Sequence, residues 1–485
     1  MPVHTRSLRA SSVSLIGALC LAGCVVGPNY AGPPAVAPHA ASAAVFDRAD
    51  LTTTAEAPQA RWWRALGDAE LSRLIETALA ASPDLEAAGA RLRQSRAGLR
   101  QQRANRLPST SVSALYLRTQ GVTSVLTGGA GQAGPGDAAL NLYDVGFDAT
   151  WELDLFGGQA RAVEGAKAQA QAYEADFEGV QVSLAAEVAQ AYVALRDNQQ
   201  RLALSQQDVE IETRMLTLAQ RRRAGGTASE LDVVKFDDQL ENGRADLAPL
   251  EAQISEQLDR LAVLTGTEPG ALDAELSAKA AVPTPPATLM VGDPAALLRR
   301  RPDIRAAERR LAQQNALIGQ RTADLFPKVT LLGDIGFGAT DVSRLLNAGN
   351  FSYVGAPLLQ WSPFDFGRNQ AKIAQARAGR DEALANYRKT VLEALQDAET
   401  SLSRYARQRE SVESLGRVAA SADRAASLTT LKARGGTATT FDILDAERQR
   451  VDAQARYAAA KAQLTQDYLG LEKSLGLGWA EPPGG

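Results

Sequence analysis

The chain has 485 residues, a formal net charge of −4, two histidines, two cysteines and only 5% aromatic residues. The weak acidic balance argues against a nucleic-acid binder. So few histidines and cysteines leave imidazole catalysis, a metal site or a disulfide framework almost nothing to work with. Long stretches of Ala, Gln, Arg, Glu and Leu instead have the composition of long packed helices.

The chain opens on a targeting signal. Arg6 and Arg9 form a basic start, and Ser11 to Ala22 is an apolar run too short for a permanent membrane helix. It ends in Leu21-Ala22-Gly23-Cys24, which resembles a bacterial lipoprotein signal. Residues 1–23 are then a leader, Cys24 carries lipid, and 24–60 is a lipidated N-terminal segment. An ordinary secretory leader with an incidental cysteine is the alternative. Processing removes His4, Cys20 and both early arginines, which takes the charge from −4 to −6. Val25 stands where an inner-membrane retention signal has Asp, which points to the outer membrane. No later segment is apolar enough for a membrane helix, so any span must use strands of a closed barrel.

After an equatorial segment (61–82), Leu85, Ala88, Leu92 and Leu99 have helical spacing up to the break at Pro108. The period then changes to two, with expected strands at about 109–120 and 140–152. Tyr143, Val145, Phe147, Ala149 and Trp151 alternate with Asp144, Gly146, Asp148 and Thr150. Lipid on one side and water on the other would select this pattern, and so would a soluble hairpin with one buried face. The residues leave both open. Gly128 to Gly136 lacks the Lys-Ser/Thr of a phosphate loop and reads as the hairpin loop, facing outside the cell.

Val163, Ala166, Ala170, Tyr173, Phe177, Val180, Leu184, Val188, Tyr192 and Leu195 then form a coiled-coil seam. Its helix can be followed over about 60 residues, or about 90 Å. It stops at Gly225-Gly226, and a returning helix runs from about Glu230 to Leu264. Paired glycines supply freedom for the reversal, and Thr227 and Ser229 are available caps.

Beyond a linker (266–300) the plan recurs over 301–475. Expected strands lie at about 328–338 and 351–361, with a tip at about 434–440, and a tail follows (476–485). Val329, Leu331, Ile335 and Phe337 oppose Asp334, while Pro357 and Pro363 suit an edge or a bend. RRRAGGTASELDVV at 221–234 matches LKARGGTATTFDIL at 431–444 at a shift of 210, as do Trp151 and Trp361. Pro83-Asp84-Leu85 and Pro108 match Pro302-Asp303-Ile304 and Pro327 at a shift of 219. One unit is used twice, in residues 83–265 and 301–475. Its four strands cannot enclose a pore. Two chains would give an eight-stranded barrel filled by side chains, and three a twelve-stranded one with room for a channel.

Several separated motifs occur together: the lipobox, Val26-Gly27-Pro28-Asn29-Tyr30, Trp62-Trp63 with Asp68 and Leu71, Leu298-Arg299-Arg300-Arg301-Pro302-Asp303-Ile304, and Leu444-Asp445-Ala446. Together they resemble the outer membrane factor family, in particular the NodT/OprM-type lipoproteins related to TolC. The resemblance implies a mainly α protein with a transmembrane β part. It would be a homotrimer with a twelve-stranded β-barrel and a long coiled-coil α-barrel in the periplasm. It also implies the passive exit duct of a tripartite efflux pump for small molecules. The partners would be a periplasmic adaptor (membrane fusion protein) and an inner-membrane transporter of the RND type. No catalysis, metal or cofactor is implied beyond the lipid on Cys24.

By the same resemblance Phe441, Asp442 and Asp445 form the periplasmic gate. Asp442 and Asp445 share a helical face, and threefold symmetry would turn them into acidic rings favouring cations. The first copy offers Asp232, with Lys235 in place of Asp445. As ordinary first-turn residues, these aspartates would simply suit the helix dipole. The tips, with Arg223, Gly225, Gly226, Thr227, Arg434, Gly435, Gly436 and Thr437, are expected to meet the adaptor. Trp62 and Trp63 are expected to pack the equatorial belt. An exit duct for type I protein secretion, or a non-conducting scaffold lipoprotein, are the alternatives. An enzyme would need a Ser/His/Asp set, metal spacing or cofactor fingerprint, and none is found.

Overall fold

The computed structural model describes residues 25–50, 52–119 and 140–479. The leader, Cys24, the Gly128–Gly136 loop and the last six residues lie outside them. The main helices are α1 (Ala69–Ala81), α2 (Pro83–Ala104), α3 (Gly158–Ala224), α4 (Glu230–Ala245), α5 (Leu247–Leu264), α6 (Pro302–Ala323), α7 (Arg368–Arg434) and α8 (Thr440–Ser474). The long strands are β1 (Ser109–Thr119), β2 (Leu140–Leu153), β3 (Lys328–Ala339) and β4 (Phe351–Gln360). Among the described residues no helix is long and apolar enough to cross a membrane.

The chain divides into two compact units. The first joins the segment ending at Pro33, Arg93–Ala172 and Glu308–Asn386. Its centre is an antiparallel sheet in the order β1-β2-β3-β4, with β1 and β4 as its margins. The register places Val112, Phe147, Ile335 and Tyr353 side by side, and puts Asp148 beside Asp334 on the other face. Val112 is 78% exposed and Tyr353 77%. A soluble hairpin would bury this apolar face on its own core. The indoles tie off the strand ends: Trp151 Nε1 donates to the Arg106 carbonyl (3.0 Å), and Trp361 Nε1 to that of Leu325 (3.1 Å).

The Val26–Tyr30 motif is fastened along this unit. Val26 N–H donates to the Phe156 carbonyl (3.1 Å), where β2 passes into α3. The buried Arg161 donates to the carbonyls of Val26 and Gly27 and to Asn29 Oδ1. Asn315 donates to the Pro28 carbonyl, and Tyr30 to Glu308 (2.6 Å).

The second unit joins Pro34–Leu92, Tyr173–Ala307 and the chain from Tyr387 onward. Its core gathers Trp62, Trp63, Leu71, Leu74, Ile75, Tyr192, Leu195, Leu261 and Tyr468, all buried. Full burial of each aliphatic side chain contributes about 1.5–3 kcal/mol. The two tryptophans meet edge to face, 5.6 Å between ring centroids, and Trp62 meets Tyr468 likewise at 6.2 Å. Asp68 caps α1 through the Leu71 N–H and accepts the Tyr192 hydroxyl, both at 2.9 Å. Arg301 joins three elements: it pairs with Asp303 (2.7 Å) and donates to the Ser474 and Ala394 carbonyls.

The returning helix of the first hairpin departs from the expected continuous run to Leu264. It breaks at Asp246 into α4 and α5. Pro249 is the cause, since its ring opposes the carbonyl four residues earlier, that of Ala245, and it offers no amide hydrogen. The corresponding α8 has no proline and is continuous for 35 residues.

Candidate functional site

The candidate site is built in the second unit from the two helix reversals and the helices leaving them. At the end of α3, Gly226 N–H donates to the Arg223 carbonyl (2.9 Å) and Thr227 N–H to that of Arg222 (2.8 Å). At the end of α7, Gly436 and Thr437 repeat both bonds, to Ala433 and Lys432, each at 3.0 Å. This pattern is the Schellman motif, which requires a left-handed residue. Gly226 and Gly436 supply it, each with φ 75°. Gly225 and Gly435 do not share that geometry, so only the second glycine of each pair has conformational work to do. Thr227 and Thr437 hydroxyls donate to the carbonyls of Arg222 and Lys432. Arg223 forms an ion pair with Glu230, and Arg434 is the last residue of α7.

Each outgoing helix starts with a capping box. Ser229 N–H donates to Asp232 Oδ2 (2.9 Å), and Asp232 N–H donates back to Ser229 Oγ (3.2 Å). Thr439 and Asp442 do the same at 2.7 and 3.2 Å. The Thr439 amide and hydroxyl hold the Asp442 carboxyl below its usual pKa. Asp442 is therefore a helix-start residue as well as an exposed charge. Asp445, one turn on, accepts from Gln449 Nε2 (2.8 Å) and pairs with Arg448 (3.4 Å). Phe441 packs edge to face on Phe236, centroids 4.9 Å apart, beside the cluster of Ile211, Met215, Leu444 and Val451. The second tip is thus packed onto α3 and α4 through Phe441.

Behind Asp445 lies a group the sequence reading missed. Glu212 on α3 is buried, and its pKa is pushed up to about 7 by burial first, with Asp208 and Asp246 adding to the rise and Arg448 opposing it. Asp208 is raised by burial as well, again opposed by Arg448. α4 meets this group at Gly243, where an added Cβ would stand 2.5 Å from Glu212 Oε2 and would make that carboxyl move. Two carboxylates four apart on α3 and a glycine inside a helix were visible signals; their meeting with Arg448 was not. Among the described residues no cluster of His, Cys, Asp and Glu has the makings of a metal site.

Comparison with known proteins places this architecture. The sequence profile described as "Outer membrane efflux protein" matches residues 74–267 and 294–477. Outer membrane protein OprJ of Pseudomonas aeruginosa is 30% identical, over 96% of this chain and 96% of its own length. Toluene efflux pump outer membrane protein TtgI of Pseudomonas putida is 27% identical, over 98% and 99%. The solved outer-membrane channel OprN superposes with a TM-score of 0.84 and 35% identity, covering 94% of this chain and all of that one. With its exposed-face β-sheet, 67-residue helices and both halves matched, the chain belongs to the outer membrane efflux protein family.

Proposed function

We propose that three chains assemble into a twelve-stranded barrel and serve as the exit duct of a tripartite efflux pump. The observation that carries this is the sheet: one face presents Val112, Phe147, Ile335 and Tyr353 uncovered, the other carries Asp144, Asp148 and Asp334, and β1 and β4 pair on one side only. Four strands from one chain cannot close a barrel, whereas twelve leave a lumen. The long helices continue the passage as a tube built from the two internal repeats. Phe441, Asp442 and Asp445 narrow its periplasmic end, and the glycine tips dock on a periplasmic adaptor that links to an RND-type transporter in the inner membrane. Energy comes from that transporter. The duct conducts small molecules such as drugs without catalysis or cofactor, and lipid on Cys24 adds an anchor to the barrel.

The test is conductance of the purified mature protein in planar bilayers, beside Asp442→Ala/Asp445→Ala. Small, cation-selective, mostly closed currents that grow in the variant are expected. Inserted protein that conducts in neither form would favour a scaffold.

A further inference from the structure

The first unit contains one finished junction between the two halves of the chain and the two ends of an unfinished one. The finished junction is β2 against β3, with Trp151 opposite Leu331, Ala149 opposite Gly333 and Phe147 opposite Ile335. The unfinished margins are β1 and β4. The two hairpins follow one rule. Adding 219 to a β1 number and 210 to its β2 partner turns the first hairpin into the second: Ser109–Thr150 becomes Lys328–Gln360, and Val112–Phe147 becomes Leu331–Pro357. The offsets first seen in the sequence therefore also govern hydrogen-bonded register.

Resting on the trimeric reading above, we propose that the same offsets specify the junction between protomers. β4 of one protomer pairs antiparallel with β1 of the next, placing Trp361 opposite Val112, Leu359 opposite Ala114 and Pro357 opposite Tyr116. Beneath this seam, Phe366 sits on Leu107 of the next protomer.

Three further observations fit. The register keeps Pro357 and Leu359, on the apolar face of β4, and Trp361 just beyond it, level with Tyr116, Ala114 and Val112, on the apolar face of β1. A slip of one residue would set each apolar side chain against the acidic face. Within the chain, Phe156 stacks on Phe326 with centroids 4.6 Å apart, just below the β2–β3 junction. The offsets carry Phe156 to Phe366 and Phe326 to Leu107. Both of these are bare in the single chain, Phe366 94% exposed and Leu107 66%. Finally, Phe366 has φ 55°, the one positive-φ residue other than glycine among the described residues. A bulky side chain in that region is costly and persists where its surroundings hold it. Nothing in its own chain covers the ring; the next protomer's Leu107 would.

The test uses the full-length lipoprotein carrying Leu359→Cys with Ala114→Cys. Their in-chain counterparts are Ala149 and Gly333, where a built Cβ lies 3.8 Å from the Ala149 Cβ, a separation that suits a disulfide. The natural cysteines, Cys20 and Cys24, lie outside the strands. Mild oxidation should give a covalent trimer on a non-reducing gel, returning to monomer on reduction, while each single variant stays monomeric. Leu359→Cys with Tyr116→Cys, two residues out of register, should cross-link far less. Preferential linkage of that second pair, or an internal link within one chain, overturns the register. No linkage in a protein that light scattering shows to be a trimer overturns the seam and leaves the trimeric duct standing. No linkage in a monomer removes both. For the ring, Phe366→Ala and Leu107→Ala should each lower the temperature at which the trimer dissociates, and the double variant should lower it by less than the two together. Full additivity removes the contact.

Discussion

Asp445 and Arg448 stand one helical turn apart on α8, with their charged atoms 3.4 Å from each other, and the same guanidinium acts on the half-buried Asp208 and the buried Glu212 of α3. One arginine thus balances a residue proposed for the constriction and two acids of α3, one of them buried. Arg448→Met should leave both acids uncompensated, lower the thermal midpoint of the purified protein and raise single-channel conductance. Combining it with Glu212→Gln should recover much of the midpoint, because the buried charge it exposes is gone. Heating curves of the single and double variants check this.

Stability should fall as pH rises from about 4.5 to 8. Glu212 is raised to about 7 by burial and Glu472 to about 8, also by burial, with the Tyr468 hydroxyl opposing. The folded chain holds these protons where the unfolded chain has lost them. The folded form is therefore fully favoured below the unfolded carboxyl value, and the advantage drains away as pH climbs through each folded value. Glu212→Gln should flatten the thermal midpoint up to about pH 7, and Glu472→Gln up to about pH 8. Calorimetry across that range separates the two.

The paired glycines should respond unequally. Gly226→Ala and Gly436→Ala force a side chain into the left-handed region, a cost of about 1–2 kcal/mol each. Gly225→Ala meets only ordinary contacts 3.6 Å away and should be neutral or slightly stabilising. Denaturation midpoints of the three alanine variants give the ranking.

Charge and capping can be separated at the second tip. Thr439→Ala removes the cap and should cost about 1 kcal/mol of stability, with selectivity intact. Asp442→Asn keeps an acceptor for the Thr439 amide while removing the charge. It should leave the midpoint nearly unchanged and reduce cation selectivity. Reversal potentials in asymmetric salt, beside melting curves, make the distinction.

Much of the local plan was legible because it depends on neighbours in the chain. The alternation over Tyr143–Trp151 is the alternation of faces in β2, and the run of small and apolar seam residues after Val163 lies in one 67-residue helix. Trp62 and Trp63 read as core because large indoles beside an apolar helix are rarely left in water. The break at Asp246 was also within reach, since Pro249 is plain in the sequence. What could not be read was which helix faces meet. Glu212, Gly243 and Arg448 each sit in an unremarkable helical context, and only tertiary packing makes them one group.

The interruption at Asp246 gives the two hairpins different mechanics. α8 is an unbroken rod, so a push on the second tip reaches the root of that helix as a rigid displacement. The return limb of the first hairpin has a joint partway along it, where a displacement of its tip can be taken up by bending. A load applied evenly to both tips is therefore shared unevenly. The stiff limb is the one whose first turns carry Phe441, Asp442 and Asp445, so the lever arm and the proposed constriction are the same piece of backbone.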